Sequence, residues 1–423
     1  MRLSVFIALC LGAVVGLADV AAAQTPPATP PPATSPSAVP PSTSASPPAS
    51  PPTPRIETIW KQTLDAAPDS GGLVLSSPVL YAGNADIIVA GSEPPPLGAD
   101  PAISARIWIE RRGAGGALWR IELDGAPPYP VYLETAISPA DANGRAVLAI
   151  AFQTETPPAS GEYGRILSLD LANGAIESSV PLRYPRVFAQ GKPDTGDTLH
   201  VYGVQRLASG EILLFGGDGG GPYRWWAGLR KGDGSFVWDA GAPSRGYGEV
   251  RSARETAEGI ELLVDAIAFT RDYRDRRLLI KLNRAGRIVS TLDLGSLSTD
   301  QFQFAADGGL LAIRDTGTKR QLALLDAQGN ARILDPALPD DTRLIGQAGR
   351  WLVFDNDAGR QWFVALDGER IGKGFAIPPG SEILRFELVD GRPVEWLLQQ
   401  SCRRRSAEFD CIGYQLTLQR VTF

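Results

Sequence analysis

The stretch "IWKQTL", Ile59 to Leu64, has a near copy in "LWRIEL", Leu118 to Leu123. Each sets an apolar residue and Trp ahead of a basic residue and closes on Leu. The later copy follows a Gly turn and ends a hairpin-like unit, whereas the earlier one has no hairpin before it. A strand with unpaired edges needs a neighbour, and the other end of the chain offers one. There "LRFELVDGR", "PVEWLLQQ" and "GYQLTLQRVTF" read as three strands of a unit that elsewhere has four. The opening strand is therefore expected to complete the last unit and close a ring.

Working outward, short apolar runs and Gly turns recur with a period of about 50 residues, the spacing of propeller blades. The clearest unit spans Val250 to Gly295, "VRSARETAEG", "IELLVDAIAF", "RLLIKLNRAG" and "RIVSTLDLG". Alternation such as Leu279, Lys281 and Asn283 against Ile280 and Leu282 is a strand signal, and Gly supplies the turns. A single four-stranded sheet cannot bury both of its faces, so such units stack radially. The expectation is an all-β, seven-bladed β-propeller of four-stranded antiparallel blades. Irregularity in the first three units leaves six or eight blades as alternatives.

The unit ending "ALWRIELDG" resembles the repeats of quinoprotein-like propellers, a group that includes pyrroloquinoline quinone dehydrogenases and the outer-membrane assembly scaffold of Gram-negative bacteria. The resemblance rests on strand and turn pattern and implies the fold. Trp119 and Trp238 hold comparable positions, but Ser178 and Val289 stand in the corresponding turns of other units. No cofactor is expected on this pattern.

Residues 1–23 have the layout of a cleavable secretory signal: Arg2, an apolar core from Leu3 to about Leu17, and the small-residue exit Ala21-Ala22-Ala23. An uncleaved anchor is the alternative. Residues 24–54 are almost wholly Pro, Ala, Ser and Thr without charge. Such a segment cannot bury enough apolar surface to order itself and is expected to be an extended spacer, of roughly 90 Å at full stretch. A Pro-rich docking site or a glycosylated stalk is the alternative. Residues 55–423 are expected to form the propeller domain. Of the three cysteines, Cys402 and Cys411 lie beyond the leader. In an exported chain this close pair is expected to form a disulfide, since two thiols without a nearby His make an incomplete metal site. The chain is mildly acidic, with a formal net charge of -6, so no broad field draws it to nucleic acid or an anionic membrane. No integral membrane segment is expected after cleavage.

Catalytic signatures are sparse. His200 is the only histidine, which excludes multi-histidine metal sites. It lies in "DTLHVYG" without a Gly-x-Ser-x-Gly elbow, and a structural role is expected. "GGDGGGP", Gly216 to Pro222, lacks the Lys and the following helix of a phosphate cradle and is read as a loop. "DNDAG", Asp355 to Gly359, lacks the bidentate Glu of a calcium loop and is read as a turn. "KGDGSFVW", Lys231 to Trp238, places Gly one position early for a sialidase aspartate box.

Loop composition is more informative. Connections from fourth to first strands and from second to third strands emerge on one face of a propeller. The former carry Tyr129 and Tyr132, Tyr184 and Arg186, then Arg245, Tyr247 and Arg251. The latter add Tyr223, Arg224, Trp225 and Trp226, together with Arg271 and Tyr273, and Arg403 in the cysteine loop. Tyr, Trp and Arg dominate binding hot spots because they combine large contact area with directed hydrogen bonds. The expected function is a non-catalytic, exported scaffold, periplasmic in a two-membrane host, that binds an envelope protein or an anionic envelope polymer through this face. The competing expectation is an enzyme working in the central channel, either a quinone-dependent oxidoreductase or a carbohydrate-active hydrolase or lyase.

Overall fold

A computed structural model describes residues 54–423 apart from 76–78, 82–84, 97–98, 101–104, 124–131, 154–160, 189–197, 220–223, 243–246, 268–274, 297–300, 306–308, 316–318, 327–328, 340, 367–368 and 406–410. The expected leader and all of the expected spacer except Pro54 lie outside the described residues.

Seven antiparallel sheets follow one another along the chain. Blade 1 comprises Val74–Leu75 with Val79–Tyr81, then Asp86–Glu93, Arg106–Gly113 and Gly116–Leu123. Its first strand is in two pieces that pair with the same edge of Asp86–Glu93, so the sheet is still four strands wide. Blade 2 is Tyr132–Ile137, Arg145–Gln153, Glu162–Asp170 and Ile176–Arg183; blade 3 is Thr198–Arg206, Ile212–Gly219, Arg224–Arg230 and Phe236–Gly241. Blade 4 is Tyr247–Glu255, Gly259–Ile267, Asp275–Asn283 and Ile288–Ser296; blade 5 is Gln301–Phe304, Leu310–Asp315, Arg320–Leu325 and Ala331–Leu338. Blade 6 is Arg343–Ala348, Trp351–Asp355, Arg360–Ala365 and Arg370–Ala376, and blade 7 begins Ser381–Val389, Arg392–Arg405 and Cys411–Thr422. First strands lie beside one another in chain order, and that of blade 7 meets that of blade 1. The ring is a seven-bladed β-propeller.

Blade 7 is completed by Arg55–Asp65, which pairs antiparallel with Cys411–Thr422 from Arg55 opposite Thr422 to Asp65 opposite Gly413. Trp60 anchors this closing strand, with its indole buried and Nε1 donating to the Ala85 carbonyl of blade 1 at 2.9 Å. Gln62 adds a second tie to blade 1, accepting from Arg112 Nη1 at 2.7 Å. The repeat of "IWKQTL" in "LWRIEL" therefore marks equivalent fourth strands.

The core is divided among the seven inter-blade seams, each filled by its own apolar cluster. Successive side chains on a strand face opposite ways. Leu213 thus enters the seam between blades 3 and 4, while Leu214 enters that between blades 2 and 3. Both faces of a middle strand are covered, which is why second strands read as continuous apolar runs.

Adjacent blades also interlock at their outer rims. Trp119 and Trp238, on fourth strands, reach across to the next blade's third-to-fourth turn and donate to the carbonyls of Leu171 and Arg284, both at 3.1 Å. Beneath them lie Gly174 and Gly286, at φ of 77° and 74°. In alternate seams Val180 and Leu292 take this place, against Gly234 and Gly329. The shorter side chains do the packing from two or three positions beyond Ser178 and Val289, because an aliphatic group cannot span the gap an indole spans. A Cβ at Gly286 would lie 2.4 Å from the Trp238 ring. Gly286→Ala is accordingly expected to lose about 2 kcal/mol, from the left-handed backbone and the collision together, as read by urea denaturation.

The Gly-rich run corrects one expectation. Gly216 to Gly219 belong to the strand Ile212–Gly219 rather than to a loop. A Cβ at Gly216 would lie 2.0 Å from the His200 carbonyl oxygen, so close backbone approach demands Gly there.

Candidate functional site

Inner strands of four blades share a backbone irregularity. The register between first and second strands slips between Val201 and Gly203 in blade 3 and between Val250 and Ser252 in blade 4. It slips again between Leu344 and Gly346 in blade 6 and between Ile383 and Arg385 in blade 7. Each slip is a β-bulge, which inserts one residue and re-aims its side chain. The inserted residues are Tyr202, Arg251, Ile345 and Leu384.

The polar pair of bulges builds a cluster. The Arg251 guanidinium lies 5.5 Å from the centre of the Tyr202 ring, bridging blades 4 and 3. Arg251 pairs with Glu249 and, at 3.1 Å, with Asp265, yet half of its side chain stays exposed. Asp265 also accepts from Arg277 at 2.5 and 2.9 Å. Toward blade 2, His200 stacks on Tyr202 at 5.8 Å, and its Nδ1 lies 2.6 Å from Glu134 Oε1. Glu134 accepts as well from the Val201 amide at 3.2 Å. Burial, and then a hydrogen bond to Glu249, hold the Tyr202 hydroxyl protonated far above its ordinary range. His200 thus ties blade 2 to blade 3.

A second cluster stands at the blade 2/3 seam on the same face. Arg224 donates to Asp218 at 2.6 Å and to the Tyr184 hydroxyl at 3.0 Å, with its guanidinium 4.2 Å from the Phe188 ring. Tyr184 packs on Tyr163 at 5.2 Å. Tyr184 and Arg224, expected on different loops of one face, thus meet directly. Arg186, in a short 3-10 turn over Arg186–Phe188, turns outward instead and lies 4.0 Å above the Phe236 ring. Arg403 is exposed on the blade 7 hairpin, where Cys402 and Cys411 form a disulfide with 5.8 Å between their α-carbons. Its neighbour Arg404 pairs with Asp65 at 2.8 Å.

Two expected anchors are corrected. Trp225 and Trp226 lie on the third strand of blade 3, 5 % and 0 % exposed, facing opposite seams. A strand covered on both faces leaves neither indole for a ligand, and Trp226 Nε1 is satisfied by the Gly217 carbonyl at 3.1 Å. Tyr132 and Tyr247 open inner strands. Tyr129, Tyr223, Arg245, Arg271 and Tyr273 lie outside the described residues.

The aspartates of the rejected motifs have local partners. Asp355 holds Arg343 at 2.9 and 3.2 Å, and Asp233 Oδ1 accepts from the Ser235 amide at 2.8 Å. Among the described residues, no group of three His, Cys, Asp or Glu could hold a metal ion, and no helix is long and apolar enough to cross a membrane.

No family model matches the chain, and no curated protein matches it. Similar solved structures include a catalytically inactive variant of virginiamycin B lyase from Staphylococcus aureus with quinupristin. It is 12% identical, with a TM-score of 0.45, covering 87% of this chain and 100% of that one. BamB from Moraxella catarrhalis is 12% identical, with a TM-score of 0.36 and coverage of 87% and 100%. The WD40 domain of Toxoplasma gondii coronin is 14% identical, with a TM-score of 0.40 and coverage of 88% and 86%. These likenesses concern fold, as does the resemblance to quinoprotein-like propellers; function has to be argued from the site.

Proposed function

We propose that the chain is an exported, non-catalytic propeller that binds an envelope protein through the face carrying the Tyr202 and Arg251 bulges. The carrying observation is that two adjacent inner strands each insert one extra residue and bring the two side chains together, half-exposed and held by carboxylates. A bulge costs ladder hydrogen bonds, and here it presents the residue types that anchor protein interfaces.

The charge balance favours a protein over an anionic polymer. Arg251, Arg277 and Arg224 are each paired with Glu249, Asp265 or Asp218. A mixed, largely neutralised surface suits patterned complementarity, whereas polyanion binding relies on unpaired cations and weakens steeply with salt.

The test is crosslinking from the native envelope with a photoreactive group beside Tyr202, in the parent chain and in Tyr202→Ala with Arg251→Glu. A polypeptide partner captured by the parent should fall at least tenfold in the variant, with melting unchanged, and survive 0.5 M salt. Capture of glycan alone, or equal capture by the variant, overturns the reading. A carboxylate-held imidazole is also the arrangement of a general base, so the channel-enzyme reading turns on His200 and Glu134. Release of sugar products, abolished in His200→Gln, would replace the binding role with that one.

A further inference from the structure

A second site lies away from the bulges, between blades 5 and 6. The third and fourth strands of blade 6 pair Gln361 with Phe375 but Phe363 with Ile371, so two steps on one strand face four on the other. The fourth strand bows away opposite Trp362, and a cavity of about 510 Å³ opens there. Its walls include Trp362, Leu338 and Pro339, with Arg360, Arg370 and Gly374 supplying the polar side and the lip.

Each wall has a defined state. The Trp362 indole is stacked on buried Phe354, with ring centres 5.9 Å apart and planes inclined by 17°, so its plane is fixed before any ligand arrives. Arg370 is neutralised by Asp335. Among the described residues Arg360 makes no ion pair, so within that set the lining carries one positive charge without a carboxylate partner. Gly374, at φ 86°, stands at the lip, where a Cβ would come 3.8 Å from Arg360 Nη1. The lack of a side chain there keeps the mouth open beside the guanidinium.

We infer that this cavity binds an acidic sugar unit of a glycan. A half-buried indole offers a flat apolar wall for the C–H face of a pyranose ring. A guanidinium beside it matches a carboxylate in bidentate fashion. The volume is in the range that holds ligands of several rings, about 300–1,000 Å³, and the open lip admits a chain rather than enclosing a single small molecule. The site shares no residue with the Tyr202 and Arg251 cluster and stands or falls independently of the protein-binding proposal.

The experiment titrates the purified full chain with trigalacturonic acid, maltotriose and a triglutamate peptide, by calorimetry and by tryptophan fluorescence. Arg360→Gln removes the charge, and Gly374→Asn, which tolerates the left-handed backbone, places a side chain across the mouth. Saturable binding of trigalacturonic acid at least tenfold tighter than of maltotriose is expected, weakened at least tenfold by each substitution without a change in melting temperature. Trp362→Phe should abolish the fluorescence response. Equal binding of the neutral trisaccharide, preference for the peptide, absence of binding, or indifference to Arg360→Gln each overturns the inference.

Discussion

Deleting Arg55–Asp65 is expected to abolish the cooperative unfolding transition of the propeller, and Trp60→Ala alone should remove about 3–5 kcal/mol. The closing strand is paired along its whole length with Cys411–Thr422. Its indole fills the seam shared by blades 7 and 1, among Val89, Trp108, Leu398 and Leu418. Without it, a long apolar edge strand is bared and the seam loses its outer wall, a state prone to aggregation. Guanidinium denaturation followed by tryptophan emission, with size-exclusion chromatography, checks both variants. A peptide of residues 54–66 added to the truncated chain should restore monomeric elution, since a free sheet edge accepts a strand in trans. The same peptide with Trp60→Ala should do so far less well. A truncated chain with native-like stability would show that closure lies elsewhere.

The second large effect is a response to pH. Glu395 is wholly buried between blades 6 and 7, where burial pushes its carboxyl from the ordinary 4.5 up to about 7. Gln361, also buried, lies beside it and acts in the opposite direction, although neither carboxylate oxygen finds a hydrogen bond of good geometry. An acid whose value is raised on folding favours the folded state below the unfolded value. That contribution is lost as pH climbs from 4.5 through about 7, and the total is about 3 kcal/mol. Glu395→Gln should therefore be more stable than the parent at pH 8 by an amount of this order and lack the decline between pH 5 and 7. Stability curves of both proteins from pH 5 to 8 decide the matter; parallel curves would mean that the carboxylate is solvated or paired.

Blade number and closure were legible because each depends on local patterns: strand alternation, Gly turns and a terminal strand without a neighbour. The disulfide was legible from its spacing. The site was less so. Tyr202 and Arg251 stand out only once the ladder registers show an extra residue in each inner strand. Glu134 meets His200 across a seam and 66 positions of sequence. The burial of Trp225 and Trp226 has a usable signal in the sequence. "RWWAGL" is a continuous apolar run rather than an alternating one, and such a run belongs to a strand covered on both faces. Arg186 could not be placed, because the turn that sends it outward is held by its amide donating to Asp239 of the next blade at 2.8 Å.

The direction of the closing strand also sets the rim on which it begins. Arg55 lies beside Thr422 and Asp65 beside Gly413, so the strand enters at the rim of the third-to-fourth turns and runs toward the rim that bears Tyr202, Arg251 and the mouth beside Arg360. The end at which the closing strand begins therefore lies on the rim opposite both candidate sites. Immobilising the protein through that end should leave ligand access intact, whereas coupling through the Cys402–Cys411 hairpin would turn the receiving side toward the surface.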